Sequence, residues 1–319
     1  MSAHRPFSPQ TNTMARPGVD VGPSHILGEW SPGIAGPLTI ISAGMHGNEP
    51  AGVLALRRIL SYLQDNQVQI AGRFVAMAGN LTALGVGLRY LDRDLNRQWD
   101  RASVERLGRE GPRGYAEDIE QLELLQDFEQ LTRHHLGMVN LLDLHTMSAK
   151  GVPFIVTCDT PDSTSLANQL LLPGIVGLEK AIPGTTLEHF LAQGYRAVAV
   201  EGGQHQDPRA VDLLEACAWM MLIATGIVTE DQVPDLQAKR QTLLDESHDQ
   251  PQHVTVRYRH GVHPEDGFAM LPGYKNLQPV RRGEVLARDR SGDIVAPQDG
   301  WIVLPLYQKA GNDGFFIGV

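Results

Sequence analysis

Short apolar runs rich in β-branched residues alternate with stretches of helical periodicity over the first two thirds of the chain. The run at 38–43 ends at Gly44, and after Pro50 apolar residues recur every three or four positions from Val53 to Leu63. Such alternation predicts an α/β fold, a mostly parallel mixed sheet flanked by helices. Further strands are predicted at 73–77, 138–144, 153–157 and 196–200, and further helices at 116–134 and 210–225.

The pattern changes after about residue 237. A polar stretch at 240–252 reads as a linker, and short alternating runs punctuated by glycine and proline follow it. These runs predict a small all-β domain. The predicted divisions are a loose N-terminal tail at 1–28, an α/β domain at 29–248 and a C-terminal β domain at 249–319 that caps a cleft.

Charge and cysteine content exclude several classes of protein. The 319 residues include 27 basic and 37 acidic side chains, a formal charge of -10, which argues against a partner that is nucleic acid or an anionic membrane. The longest apolar run, 216–228, is shorter than the roughly 18 to 20 residues that cross a bilayer. Two cysteines are too few for a disulfide scaffold. We expect a cytoplasmic protein with a small-molecule partner, and a homo-oligomer remains open.

The segment Gly44-Met45-His46-Gly47-Asn48-Glu49-Pro50 places an imidazole and a carboxylate three residues apart in the loop after the first strand. His145 follows the apolar run 139–144, so it belongs at the same edge of a parallel sheet, where open α/β sheets bind ligands. Two histidines and one glutamate leave a fourth tetrahedral position open, as in a hydrolytic zinc site. In the alternative interpretation, Glu49 only stabilises the start of the helix at Pro50.

Glu201 follows the strand predicted at 196–200 and precedes Gly202 and Gly203. A carboxylate at a strand end beside two flexible residues is placed to act as a general base. The alternative is a glutamate that caps a turn. His205 is a weaker candidate for the base because it lies in a polar loop.

Arginines at 89, 93, 97 and 101 recur at helical spacing within an acidic protein. By composition they are one solvated stripe of a helix. Their sequence context gives a second interpretation, because four strings occur in a characteristic order. These strings are GMHGNEPAG, RYLDRDLNR, LLDLHT and VAVEGG.

In this order and spacing, the four strings resemble the succinylglutamate desuccinylase and aspartoacylase family, relatives of the zinc carboxypeptidases. The resemblance implies a zinc carboxypeptidase-like fold and one Zn²⁺ per chain, although cobalt or nickel would suit the same donors. It also implies a role for each matching position. By this resemblance the zinc ligands are His46, Glu49 and His145, and the general base is Glu201. Arg89 polarises the scissile carbonyl, and Asn96 and Arg97 bind a substrate carboxylate. Asp94 holds the loop of these arginines in place, and Tyr307 reaches the pocket from the C-terminal domain.

One position departs from the family pattern. In aspartoacylases, an arginine about ten residues before the base binds the second carboxylate of the substrate. This chain has Leu191 at that position. Arg196, nearer to the base, is a candidate replacement. The substrate is therefore expected to be an anionic N-acyl amino acid that need not be of the aspartate type.

The resemblance implies a zinc-dependent hydrolase that cleaves the amide bond of a small N-acyl amino acid by a metal-activated water with Glu201 as base. Two alternatives remain open at this point. One is a carboxypeptidase-like peptidase, and the other is a catalytically idle metal-binding protein.

Overall fold

The computed structural model describes residues 18–319. The first 17 residues of the predicted tail lie outside this range. The remainder of that tail was predicted wrongly as loose, because His25 is buried and its Nδ1 lies 2.9 Å from the carbonyl oxygen of Ala78. A strand begins directly after it, at Ile26.

The described residues form fourteen strands and nine α-helices, numbered here in chain order. The strands are β1 Ile26–Trp30, β2 Ile34–Ala43, β3 Ala71–Ala78, β4 Val139–Met147, β5 Phe154–Thr157, β6 Gly174–Val176, β7 Arg196–Gln204, β8 His253–Gly261, β9 Ala269–Met270, β10 Gln278–Val280, β11 Val285–Asp289, β12 Gly292–Val295, β13 Gly300–Val303 and β14 Asp313–Gly318. The helices are α1 Ala51–Asp65, α2 Leu81–Val86, α3 Arg101–Glu110, α4 Ala116–Thr132, α5 Pro161–Gln169, α6 Leu178–Ala181, α7 Thr186–Ala192, α8 Arg209–Ala224 and α9 Leu236–Ser247. Short 3-10 turns lie at Leu95–Arg97, Glu230–Gln232 and Pro264–Asp266.

The main sheet has the order β1-β3-β2-β4-β7-β5-β6-β8-β14-β13-β10. Its centre is parallel, with β2 paired to β3 and β4, and β4 paired to β7. All nine residues of β4 are buried, since helices cover both faces of the sheet. The predicted α/β class with a mostly parallel mixed sheet is confirmed, and so is the all-β character of the C-terminal part.

The C-terminal strands continue the main sheet, because β8 pairs in parallel with β6. A separate three-stranded antiparallel sheet contains β9, β11 and β12. The linker predicted at 240–252 was wrong over most of its length, since α9 extends to Ser247 and buries Leu243. One buried residue gives too weak a periodicity to distinguish this helix from a polar connection.

Helix α4 was predicted correctly, and its apolar residues Phe128 and Leu131 are buried. Ile119, at the same helical spacing, is 51% exposed, whereas Glu117 and Asp118 are fully buried. Polar side chains are buried here because they bind the loops beside the helix, and hydrophobic periodicity cannot detect that.

Among residues 18–319, none of the helices combines the length and the apolar character needed to cross a membrane.

Candidate active site

Three side chains that the sequence placed at one sheet edge converge there. His46 and Glu49 lie in the loop between β2 and α1, and His145 lies near the end of β4. One ligand atom from each lies within 4.8 Å of the other two, and all three residues are buried. The Nδ1 atoms of His46 and His145 face the Glu49 carboxylate, at 2.9 and 3.1 Å.

Each imidazole is held from behind by a carboxylate. The Nε2 of His46 lies 3.0 Å from Asp94 Oδ1, and the Nε2 of His145 lies 3.0 Å from Asp143 Oδ2. Ser42 donates from Oγ to the other oxygen of Asp143 at 2.8 Å. Carboxylates behind metal-binding histidines fix the ring orientation and raise ligand basicity. The two nitrogens that face Glu49 are therefore oriented as a metal site requires.

The electrostatics of the cluster also suit a divalent cation. Burial acts to raise the pKa of Glu49, but the two adjacent imidazoles hold it well below its usual range. Burial acts to lower the pKa of His145, but Asp143 and Glu49 raise it well above its usual range. The buried carboxylates at the cluster thus favour positive charge, and the two-imidazole, one-carboxylate donor set matches zinc.

Glu201 lies beside the cluster, paired in register with His145 across β4 and β7. Its Oε2 is buried and has no hydrogen-bond partner among residues 18–319. Burial raises the pKa of Glu201 to about 8. Strand β7 does not end at residue 200 as predicted but continues to Gln204. The antiparallel strand β5 pairs with it, and Phe154 lies opposite Glu201.

Arg89 contacts two carboxylates of the same cluster, those of Asp94 and Glu49. Its Nε and Nη2 donate to Asp94 Oδ2 at 3.1 and 2.8 Å, and its Nη1 lies 3.6 Å from Glu49 Oε1. The carbonyl of Arg89 accepts the Gly47 N–H at 3.1 Å, which joins the two loops that carry the site.

Asn96 and Arg97 both line the pocket beside this cluster. Asn96 is held by Thr186, whose N–H and Oγ donate to Asn96 Oδ1, and the Asn96 Nδ2 lies 3.3 Å from His145 Nε2. Arg97 donates from Nη2 to Asp313 Oδ2 at 3.0 Å. Sequence reasoning missed Asp313, since no local pattern connects residue 97 with a C-terminal strand.

The four arginines at positions 89, 93, 97 and 101 do not form a solvated stripe of one helix. Arg93 packs over the Tyr115 ring and pairs with Asp118, outside the pocket, and the side chain of Arg101 is 91% exposed. Of the four arginines at helical spacing, only Arg89 and Arg97 line the cleft.

The pocket has a polar floor and apolar walls. The cavity volume is about 130 Å³, and the pocket opens to solvent at its mouth. Its apolar walls come from both parts of the chain, and include Met147, Val156, Leu178, Ile182, Leu304 and Phe316.

A family model for the succinylglutamate desuccinylase/aspartoacylase catalytic domain matches residues 35–217, more than half of the chain. The chain belongs to the succinylglutamate desuccinylase/aspartoacylase family. The matched region contains both segments of the candidate metal site, the segment 89–97 and Glu201, so the predicted resemblance is confirmed at the level of the family.

Relatives within this family are distant. A succinylglutamate desuccinylase of Serratia proteamaculans is 27% identical over 200 residues, which cover 61% of this chain and 60% of that protein. The matched part is thus less than two thirds of that relative. A succinylglutamate desuccinylase of Pseudomonas aeruginosa is 34% identical over 107 residues, which cover 34% of this chain and 30% of that protein.

Solved structures share the fold over most of the chain. The product-bound ectoine utilization protein EutE (DoeB) of Ruegeria pomeroyi has a TM-score of 0.63 at 20% identity, covering 89% of this chain and 86% of that one. A succinylglutamate desuccinylase/aspartoacylase of Rhodobacter sphaeroides has a TM-score of 0.64 at 18% identity, with the same coverage.

Two positions that the family resemblance pointed to lie outside the pocket. Leu191 packs against the apolar core, and Arg196, at the start of β7, places its Nη1 against Met138 Sδ. Neither residue lines the cleft. Arg196 therefore does not replace the missing arginine, because the length of the strand separates it from the site.

Tyr307 does not reach the pocket in this family member. Its hydroxyl donates to the Leu271 carbonyl at 2.7 Å and accepts the Tyr274 N–H at 3.0 Å. The next residue, Gln308, lines the pocket instead, with Oε1 accepting from Asn48 Nδ2 at 3.2 Å. The structure thus places Gln308, and not Tyr307, at the pocket, since a loop offers no periodicity that fixes which side chain faces inward.

Helix α4 positions the loop that carries Arg89 and Asn96. The carboxylate of Glu117 accepts the backbone N–H groups of Leu91, Asp92 and Arg93, at 2.7 to 3.2 Å. It also accepts from Asn80 Nδ2 at 3.1 Å. One buried side chain thus satisfies several donors in the loop between Arg89 and Asn96.

Glu117→Ala is expected to lower the free energy of unfolding by about 2 to 4 kcal/mol, because it leaves several buried donors without an acceptor. Glu129→Ala on the same helix is the control, since Glu129 is 64% exposed and pairs with exposed Arg133. That variant is expected to stay within about 0.5 kcal/mol of the parent. Urea denaturation of both variants measures the difference, and equal stabilities would show that Glu117 does not hold the loop.

Proposed function

We propose that the protein is a zinc-dependent deacylase that hydrolyses the amide bond of small N-acyl amino acids. The observation that carries the proposal is the position of Glu201, whose buried Oε2 lacks a hydrogen-bond partner within 18–319 and lies beside the cluster of His46, Glu49 and His145. A bound divalent cation supplies Lewis acidity, which lowers the pKa of water and polarises a carbonyl.

In this proposal Glu201 moves the proton. Its carboxylate takes a proton from the attacking water at the unpartnered Oε2 and returns it to the leaving nitrogen as the amide bond breaks. Arg89, oriented by Asp94, donates to the oxygen of the scissile carbonyl as negative charge develops on it.

Arg97 binds the carboxylate of the substrate in this proposal. The guanidinium pairs with Asp313 in the structure, and Asp313 has a second partner in Arg259 Nε at 2.6 Å. Asp313 therefore keeps an ion pair when Arg97 turns to a substrate. A bidentate guanidinium contact is one that lysine cannot reproduce.

A small substrate is favoured over a peptide because the C-terminal part closes the cleft. Leu304, Pro305, Gln308 and Asp313 all line the pocket together with the metal-site residues. A peptidase needs room for the chain that precedes the scissile bond, and these residues narrow that room.

The experiment is release of free amine from a panel of N-acetyl and N-succinyl amino acids, with and without a chelator and with zinc restored. Turnover of panel members that is lost with chelator and recovered with zinc supports the proposal. Turnover of blocked dipeptides in preference to N-acyl amino acids would favour the peptidase. No turnover across the panel, with metal bound, would favour the idle metal-binding protein.

A further inference from the structure

One more carboxylate lines the pocket, and neither the metal cluster nor the proposed mechanism uses it. Glu179 of α6 has a side chain that is only 8% exposed. Its Oε2 accepts the Gly177 N–H at 2.7 Å, whereas its Oε1 is buried without a hydrogen-bond partner in the described part of the chain. The ammonium of Lys180 lies 4.0 Å away, beyond hydrogen-bond distance, on a side chain that is 78% exposed.

Apolar side chains line the same pocket as this carboxylate. Val156, Leu178 and Ile182 are among them, and Leu178, which directly precedes Glu179, is almost fully buried. A buried carboxylate oxygen without a donor is costly, because it loses hydration and gains nothing in return. A ligand that brings a positively charged donor to Oε1 removes this cost.

The pocket also lacks a cation for a second substrate carboxylate. Of residues 18–319, no lysine lines it, and its two arginines pair with acidic side chains, Arg89 with Asp94 and Arg97 with Asp313. Leu191 packs in the core. A substrate side chain that ends in a carboxylate would approach the Glu179 carboxylate, beside which the exposed ammonium of Lys180 lies 4.0 Å from Oε1.

We propose that the preferred substrate is an N-acyl diamino acid, whose side-chain ammonium pairs with Glu179. The α-carboxylate binds Arg97, and the aliphatic stem of the side chain packs against the apolar wall. This inference rests on the proposed deacylase function and names its substrate class.

The test compares kcat/KM for four substrates: Nα-acetylornithine, Nα-acetyllysine, N-acetylnorleucine and N-acetylglutamate. Norleucine keeps the stem of lysine but lacks the ammonium group. We expect the lysine or ornithine derivative to exceed both others by about 30-fold or more, as for a buried charge pair. Glu179→Gln should reduce this preference to about threefold or less, and Glu179→Lys should shift it toward N-acetylglutamate. Lys180→Ala is the matched control and should keep the preference of the parent.

Equal rates for the lysine and norleucine derivatives would overturn the inference while the deacylase function stands. If no substrate is turned over, the deacylase function fails, and calorimetric titration of the zinc-loaded protein with free ornithine and free norvaline decides the inference. Ornithine binding that depends on Glu179 supports it. Equal binding of the two amino acids, or no binding of ornithine, overturns it.

Discussion

Glu201→Gln is expected to lower kcat by about 10²- to 10⁴-fold, the range for loss of a positioned general base, while KM changes little. Glutamine has nearly the same shape but cannot take a proton from water. Because Glu201 is beside the metal cluster and outside the proposed ligand set, the variant should bind zinc as the parent does.

The pH profile gives a second measure of the same residue. Burial raises the pKa of Glu201 to about 8, and a bound cation lowers it again because positive charge favours the carboxylate. The base is active when ionised, so kcat/KM should rise with pH on a limb that lies below about pH 8 and is absent in Glu201→Gln. Glu265→Gln, an exposed carboxylate, is the control and should leave rate and profile unchanged. A Glu201→Gln enzyme with parental kcat would exclude Glu201 as the base.

Arg89→Ala is expected to lower kcat by about a hundredfold or more. A preorganised donor to a developing oxyanion stabilises the transition state by about 3 kcal/mol. Arg89 is buried between Asp94 and Glu49, so its position is fixed before substrate arrives. Steady-state kinetics on the best panel substrate measures the change.

Two controls separate this effect from damage to the metal site. Arg101→Ala removes an exposed arginine at the same helical spacing and should leave kcat within about twofold. Zinc content of Arg89→Ala must also be measured, because Arg89 pairs with Asp94, which holds His46. An Arg89→Ala enzyme that keeps zinc and parental kcat would contradict the role of this guanidinium.

The elements that sequence reasoning identified share a simple physical basis. Most residues of strands β2, β3, β4 and β7 are buried, so these strands appear as apolar runs, and helix α1 carries a clear apolar stripe. Strands and helices without such a pattern were missed, among them β1, β6, α7 and α9. Their burial depends on neighbours distant in sequence, which local periodicity does not record.

The residues of the candidate site also fall into two groups, those that the sequence could place and those that it could not. Residues at the ends of buried strands, such as His145 and Glu201, could be placed at one edge because parallel strands share their carboxyl ends. Residues that reach the pocket from loops or from the C-terminal strands could not, since their positions depend on how β8 joins the sheet at β6. Asp313 and Gln308 are of this second kind, and Glu179 carries no motif at all.

We expect His46, Glu49 and His145 together to hold one divalent metal ion. The direct measurement is metal content per chain, by mass spectrometry after equilibrium dialysis against zinc, for the parent, His46→Ala, His145→Ala and Glu201→Gln. Circular dichroism establishes that each variant is folded. We expect one zinc per chain in the parent and in Glu201→Gln, and almost none in either histidine variant. A folded parent that binds no zinc, or histidine variants that retain it fully, would show that these three residues do not form a zinc site.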